Sequence, residues 1–299
     1  MVASTEHSTP IPIETKKGMI EKNLSNINLL DAMENSDSCP LCYLWLKSER
    51  RYLEYLLTNE VTMDPGFRER ILSAKGFCNR HMHLLYKTAQ GVGTEDGLGY
   101  GLYLQSIVGE VSQELESLPL QINGRAARKG ITIWGRKRKQ AITQLAKEVS
   151  KVYQGKRCCP VCEFLWSSDQ MNLHTLLQML DEKDFREAFK SSGVLCLPHF
   201  VSAIEMVSRS DLKNPAEVAR SLIDLEVGLL ERLGKLLSEF IRKQDWEFRE
   251  EPQGPEVKAY SLALGILVGV EGLYSYGLKA HIPLGFKEGQ YRLLLAKEE

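Results

Sequence analysis

Two copies of one spacing pattern of cysteine and histidine constrain this chain more than any other feature. Cys-Pro-x-Cys occurs at residues 39–42 and again at 159–162, and Cys-x-x-His follows at residues 78–81 and 196–199. The second and third cysteines are 36 residues apart in the first copy and 34 in the second. Cysteine and histidine are uncommon, and the residues between them differ at most positions, so chance retention in both copies is improbable. The pattern therefore predicts an internal repeat whose four retained side chains share one task.

The retained side chains are of the types that bind zinc. Zinc prefers four tetrahedral ligands drawn from Cys thiolates and His nitrogens, and three cysteines with one histidine form a common closed set. Each short spacing places two donor atoms within one helical turn, and the predicted helix N-termini there favour thiolates. The sequence predicts two zinc ions, one held by Cys39, Cys42, Cys78 and His81 and the other by Cys159, Cys162, Cys196 and His199.

Several alternatives to this assignment stay open at the level of sequence. Pairing within a copy is favoured, but the copies could exchange pairs, so that Cys-Pro-x-Cys of one joins Cys-x-x-His of the other. An iron–sulfur cluster also accepts Cys thiolates with occasional His. The cysteines could also be metal-free and buried, as most unpaired cysteines are. Cys158 has Ser38 as its counterpart in the first copy and is not expected to be a ligand.

Apolar periodicity and helix-start signals predict an all-α fold. Pro40, Pro65 and Pro215 occupy the first helical position, where the missing N–H has no cost. The predicted class is all-α, with two pseudo-repeats of a helical unit, each closed by one site of three cysteines and one histidine, plus a C-terminal helix. The predicted helices cover about residues 19–33, 39–56, 65–75, 78–87, 98–118, 159–179, 182–191, 214–242 and 256–276, with one more beginning near 196.

Composition and charge suggest how the chain is divided. Hydrophobic residues make up 43% and charged residues 26%, which are ordinary globular values. Residues 125–157 hold eleven Lys or Arg against one acid, although the whole chain has a net charge of −1. We expect a flexible tail at 1–17, a first helical repeat at 18–123, a basic linker helix at 124–157, a second repeat at 158–250, and a C-terminal helix and tail at 251–299.

Location follows from what the sequence lacks. The N-terminal residues have no apolar stretch suited to a signal peptide, and the longest apolar stretch, at 261–270, is about half a membrane span. Seven cysteines, an odd number, argue against a disulfide framework. We therefore expect a cytoplasmic protein with no membrane partner.

No residue pattern in the chain indicates an enzyme. A zinc ion with four protein ligands has no open position for water or substrate, and no nucleophile elbow, phosphate loop or dinucleotide fingerprint is present. We expect a non-enzymatic protein that binds a protein partner. One alternative is thiol redox chemistry or redox sensing through the two Cys-Pro-x-Cys pairs. Another is nucleic-acid binding through residues 125–157, although we favour a solvated linker helix that packs on the acidic remainder of the same protein.

Two further pairs of charged residues recur between the copies. Arg68 and Arg186 each lie ten residues before the third cysteine of their copy, and the acids that follow them, Glu69 and Glu187, lie nine residues before it. These arginines could donate to the thiolates, but we expect helix-surface charges.

Several motifs together resemble a known family. They are the Cys-Pro-x-Cys pairs, Gly-Phe-Cys-Asn-Arg-His at residues 76–81, Leu-Cys-Leu-Pro-His-Phe at 195–200, Glu-Pro at 251–252 and Leu-Val-Gly at 267–269. Over about residues 23–272 the chain resembles an uncharacterised bacterial family, the domain of unknown function 6062. The resemblance supports the helical, repeated architecture and implies no mechanism.

Overall fold

The computed structural model describes residues 26–36, 38–91, 97–126, 136–154, 158–248 and 250–273. Within these ranges the chain forms twelve α-helices and one 3-10 helix, at Pro255–Lys258, and no strand, which confirms the all-α prediction. The α-helices are α1 (Ile27–Asn35), α2 (Pro40–Leu56), α3 (Asn59–Thr62), α4 (Pro65–Ser73), α5 (Asn79–Gly91), α6 (Leu98–Ala126), α7 (Arg136–Gln154), α8 (Pro160–Asp181), α9 (Lys183–Ser192), α10 (Leu197–Val207), α11 (Pro215–Arg242) and α12 (Ala259–Val268).

The two Cys-Pro-x-Cys motifs begin their helices in the same way. Cys39 has φ −57° and ψ 118°, and Cys159 has φ −54° and ψ 124°, so each cysteine lies just outside the helix. The proline that follows is the first helical residue in both, where its fixed φ fits and no N–H is needed. The first cysteine of each pair therefore lies at the helix entrance and the second within the first turn.

The variable residue of each Cys-Pro-x-Cys motif anchors its helix in the core. Leu41 and Val161 are both 0% exposed. The most extensive contact between two helices joins α2 to α8. Next to this pair, α5 packs on α2 and α10 packs on α8. The four motifs are thus carried on one group of packed helices, which fixes their positions relative to one another.

A tight turn after α4 directs the chain into the first Cys-x-x-His. Lys75 has φ 55° and Gly76 has φ 103°, and the Gly76 N–H donates to the carbonyl of Ile71 at 2.9 Å. Gly76 is needed here because of its positive φ, and because a Cβ would lie 3.1 Å from Ile107 Cδ1 on α6. The turn ends α4 and places Cys78 immediately before α5.

Most predicted helix boundaries agree with the structure to within a few residues. The short helix α3 was missed, and α6 continues to Ala126 rather than residue 118. The last helix ends at Val268 because Gly269 has φ 72°, not at residue 276 as predicted. The predicted tail at 1–17, the start of the first predicted helix at 19–25, and residues 274–299 lie outside the described residues.

The predicted basic linker contains a helix, α7, which packs against α6. Residues 127–135 and 155–157 of that basic stretch lie outside the described ranges, so nucleic-acid binding stays a prediction. Among the helices that the structure describes, none combines the length and apolar character required to cross a membrane.

Candidate metal centres

The structure gathers the eight predicted ligand residues into two groups that could each hold one metal ion. In each group the four donor atoms all lie within 4.8 Å of one another. The Cys39 cluster consists of Cys39, Cys42, Cys196 and His199. The Cys78 cluster consists of Cys78, His81, Cys159 and Cys162.

The favoured pairing within each copy is wrong. Both clusters join Cys-Pro-x-Cys of one copy to Cys-x-x-His of the other. The two clusters therefore tie the halves of the chain together, and neither half contains a complete ligand set.

The physical reason for the exchange is the antiparallel packing of α2 and α8. His81 Nε2 lies 3.0 Å from Glu49 Oε1. Because Glu49 follows Cys39 by ten residues, it lies about 15 Å further along α2, which keeps His81 out of reach of Cys39. The entrance of α8 lies at this level, and its Cys159 Sγ is 3.4 Å from His81 Nδ1. At the opposite end of the α2–α8 pair, the entrance of α2 lies in the same way beside the histidine of the second copy.

The Cys39 cluster is tightly converged. The Nδ1 atom of His199 lies 3.1 Å from the sulfur of Cys196, 3.3 Å from that of Cys39 and 3.5 Å from that of Cys42. The sulfurs of Cys42 and Cys196 are 3.5 Å apart. That separation is far longer than a disulfide bond of about 2.0 Å.

The Cys78 cluster repeats this geometry. The Nδ1 atom of His81 lies 3.1 Å from the sulfur of Cys78, 3.4 Å from that of Cys159 and 3.3 Å from that of Cys162. The sulfurs of Cys78 and Cys162 are 3.7 Å apart. A tetrahedral zinc ion with ordinary bond lengths separates two sulfurs by about 3.8 Å and a sulfur from a nitrogen by about 3.6 Å. The donor atoms of both clusters fit such an ion after shifts of a few tenths of an ångström.

Each histidine is oriented by a buried carboxylate that sequence reasoning missed. Glu49 lies 3.0 Å from Nε2 of His81, and Asp169 Oδ1 lies 3.0 Å from Nε2 of His199. A carboxylate on Nε2 fixes the ring and leaves the Nδ1 lone pair free to bind a metal. Both acids stand seven residues after the second cysteine of a Cys-Pro-x-Cys motif. An acid at the same position in both copies is the signal by which they could have been found.

An arginine extends this network in the Cys78 cluster. Arg80 donates two hydrogen bonds to Glu49, at 3.0 and 2.8 Å, and lies 3.2 Å from Glu271. The corresponding residue of the second Cys-x-x-His is Pro198, which has no side-chain donor. The carboxylate behind His81 is therefore neutralised by a cation that the other copy does not offer in this position.

The electrostatics of both clusters favour a cation. Burial raises the pKa of Cys39, but contacts with Cys196 and Cys42 outweigh it and hold that pKa well below its usual value. Hydrogen bonds with Cys159 and Cys162 lower the pKa of Cys78 strongly. Each cluster thus stabilises one thiolate while other thiols of the cluster are still protonated. A metal ion that binds there can displace the remaining thiol protons.

The contacts within the Cys78 cluster also shift the pKa of its histidine, but upwards. Burial alone would lower the pKa of His81, but its contacts with Cys159, Cys78 and Glu49 raise that pKa to about 11. The proton on Nδ1 therefore occupies the position that the tetrahedral fit gives to a metal ion. The same thiolates would stabilise the positive charge of either one.

The model of one protein family matches most of this chain. The Family of unknown function (DUF6062) matches residues 19–265. The chain belongs to this family. No curated protein and no solved structure matches it. For this DUF6062 member, chemical roles therefore have to be argued from the geometry of the clusters.

The recurring arginines of the DUF6062 chain do not reach the clusters. Arg68 donates to the carbonyl of Thr62 at 2.8 Å, and Arg186 donates to the carbonyl of Leu180 at 2.9 Å. In both copies the acceptor lies six residues before the arginine, at the end of the preceding helix. Arg186 is only 4% exposed, so the expectation of a surface charge is wrong for it. The pair caps helix C-termini, which explains its recurrence.

The Cys39 cluster has a buried acid in its vicinity. Glu226 of α11 is 3% exposed, and among the residues that the structure describes neither of its carboxylate oxygens has a hydrogen-bond partner. Burial, together with the negative charge of Cys39, raises the pKa of Glu226 to about 7. No local sequence pattern marked this residue.

Proposed function

We propose that this chain is a zinc-stabilised helical protein that binds one zinc ion in each cluster and acts as a non-enzymatic partner-binding protein. One observation carries the zinc assignment. In both clusters the histidine turns Nδ1 to three cysteine sulfurs and Nε2 to a buried carboxylate. This carboxylate–histidine–metal arrangement is characteristic of zinc sites in proteins.

Zinc accounts for the geometry better than the alternatives do. An iron–sulfur cluster distributes its ligands over several iron atoms, whereas here all four donor atoms converge on one point. A thiol redox pair needs two sulfurs and an accessible approach, and it gives the histidine and its carboxylate no role. Buried metal-free thiols would not explain why three cysteines and one histidine meet twice.

The non-enzymatic assignment rests on the closed ligand sets. Three thiolates and an imidazole fill the zinc coordination sphere, so no position remains at which water or substrate could be activated. The ions are then structural, and each holds the two halves of the chain together. Large apolar side chains at the end of α11 and beyond it remain at the surface, with Ile241 67%, Trp246 81% and Tyr260 62% exposed. Exposed apolar groups of this kind support the binding of a protein partner.

Elemental analysis of protein purified without added metal tests the zinc assignment. We expect about two zinc ions per chain, and no visible absorption of the kind that iron–sulfur clusters give. His81→Ala and His199→Ala should each lose one ion, and Cys158→Ser, which changes a cysteine outside both clusters, should keep both. A metal-free protein with freely titratable cysteines would show that the proposal is wrong. Reversible disulfides within each Cys-Pro-x-Cys pair, unaffected by the histidine variants, would favour redox chemistry instead.

A further inference from the structure

The two clusters differ in their contact with solvent. All four residues of the Cys39 cluster are buried, with Cys196 and His199 at 0% exposure. In the Cys78 cluster three residues are buried, but Cys78 itself is only partly buried. The Cys78 cluster therefore has one ligand residue in partial contact with solvent, and the Cys39 cluster has none.

The segment that follows α12 explains why the Cys39 cluster is shielded. Gly269 lies against it, since a Cβ on this residue would be 3.3 Å from Cys196 Sγ and 3.4 Å from Cys42 Sγ. The chain then crosses towards the other cluster, where Gly272 packs on Arg80. At that end the backbone packs on the guanidinium group behind Glu49 and His81, and Cys78 stays only partly buried.

We propose that Cys78 is a site of oxidation by hydroperoxides, and that its oxidation releases the metal ion of the Cys78 cluster while the Cys39 cluster keeps its own. The inference rests on the zinc assignment above. It goes beyond that assignment because it gives the two ions different behaviour, one permanent and one removable.

The chemistry balances without further reagents. The Cys78 thiolate attacks one oxygen of the hydroperoxide, the O–O bond breaks, and a sulfenic acid and an alkoxide or hydroxide form. The Cys162 thiolate, whose sulfur lies 3.7 Å away, then attacks the sulfenic sulfur and displaces hydroxide. A disulfide replaces two thiolates, which have together lost two electrons to the hydroperoxide. The zinc ion keeps its oxidation state but loses two of its four ligands.

Cys158 provides the matched control. It is partly buried like Cys78, directly precedes Cys159 of the same cluster, and belongs to neither ligand set. If partial exposure of a thiol were sufficient for reaction, Cys158 would be oxidised as readily as Cys78. The proposal requires instead that the ligand sulfur of Cys78 reacts and that Cys158 is dispensable for release.

The experiment treats the zinc-loaded full-length protein with hydrogen peroxide and follows released zinc with a chromophoric chelator. Tryptic mass spectrometry, with a sulfenic-acid trap added early, maps the oxidised cysteines. The starting zinc content is measured first. Fewer than two ions at that stage would contradict the zinc assignment itself, whereas two ions at the start leave the later steps to test the oxidation of Cys78 alone.

We expect one ion to leave at least about tenfold faster than the other, because oxidation follows accessibility. The trap should label Cys78 first, and a Cys78–Cys162 disulfide should then form as the first ion is released. Cys158→Ser should release zinc at a rate within about twofold of the unaltered protein. Equal rates for both ions, first labelling in the Cys39 cluster, or loss of fast release in Cys158→Ser would each overturn the proposal.

Discussion

The Cys39 cluster and the Cys78 cluster each combine one Cys-Pro-x-Cys pair with one Cys-x-x-His pair, yet their surroundings differ. The Cys39 cluster is fully buried, the backbone at Gly269 lies against its sulfurs, and the buried acid Glu226 is nearby. The Cys78 cluster has a partly exposed cysteine and an arginine that neutralises its outer carboxylate. The ligand types are therefore the same in the two clusters, while burial and charge around them differ. We infer that the two ions contribute differently to stability.

The largest effect is expected from combining one ligand change in each cluster. Cys42→Ser with Cys78→Ser should lose both ions and unfold, because structural zinc is worth about 10 kcal/mol or more in zinc-finger peptides, comparable to the total stability of a domain at about 5–15 kcal/mol. Cys42→Ser with Cys196→Ser changes two ligands of one cluster and should lose only one ion. Zinc content and circular dichroism distinguish the two proteins. If the second pair lost both ions and the first pair one, the ligands would join within a copy after all.

A smaller difference is expected between single ligand changes in the two clusters. Cys196→Ser removes a thiolate where water cannot replace it, whereas at Cys78→Ser water can reach the ion and occupy the free position. We expect Cys196→Ser to lower the free energy of unfolding by about 1–3 kcal/mol more than Cys78→Ser does. Chemical denaturation at equal zinc concentration measures this. Equal losses would mean that the difference in exposure has no energetic consequence.

The outer carboxylates should contribute to metal affinity in both clusters. Glu49→Gln and Asp169→Asn remove the negative charge behind each histidine, which typically costs about 10–100-fold in affinity. Glu49→Gln should have the larger effect, because it also leaves the charge of Arg80 without its nearest partner at 2.8 Å. Competition with a zinc chelator of known affinity measures both variants. Unchanged affinities would remove the orienting role from these two acids.

The smallest expected effect concerns Glu226 and depends on pH. Its pKa is about 7 in the folded protein because of burial and the charge of Cys39, above its usual value of 4.5. Between these values the folded state holds more protons than the unfolded state, so stability falls as pH rises and the loss is complete above pH about 7. Glu226→Gln should therefore stabilise the protein by about 1 kcal/mol near pH 8.

That gain should shrink as the pH is lowered towards about 5, because the carboxyl group of Glu226 is then neutral in the folded protein. Thermal unfolding of the variant and the unaltered protein at a series of pH values measures the difference. A gain that does not change with pH would mean that Glu226 stays ionised throughout.

The sequence predicted the helices and the ligand types because both are local patterns. Proline at the first helical position marked α2, α4 and α11 correctly. The grouping of ligands could not be predicted in this way, since it depends on the antiparallel packing of α2 and α8, a contact between residues more than 100 positions apart. Glu49 and Asp169 were recognisable only by comparing the two copies position by position. Glu226 could not be found from sequence, because nothing local distinguishes it from an exposed helix acid.

The exchange of ligand pairs between the copies has a consequence for the synthesis of the chain on the ribosome. Cys42 and Cys196 are separated by 154 residues, so a ribosome translating at about 5–20 residues per second needs roughly 8–30 s to deliver the second after the first. Throughout that interval Cys39 and Cys42 have no complete set of partners, whereas the Cys78 cluster is complete once residue 162 has been made. A metal ion could therefore be held by the Cys78 cluster only after residue 162 has been made and by the Cys39 cluster only after residue 199, and a shorter translation product would have cysteines that no ion protects.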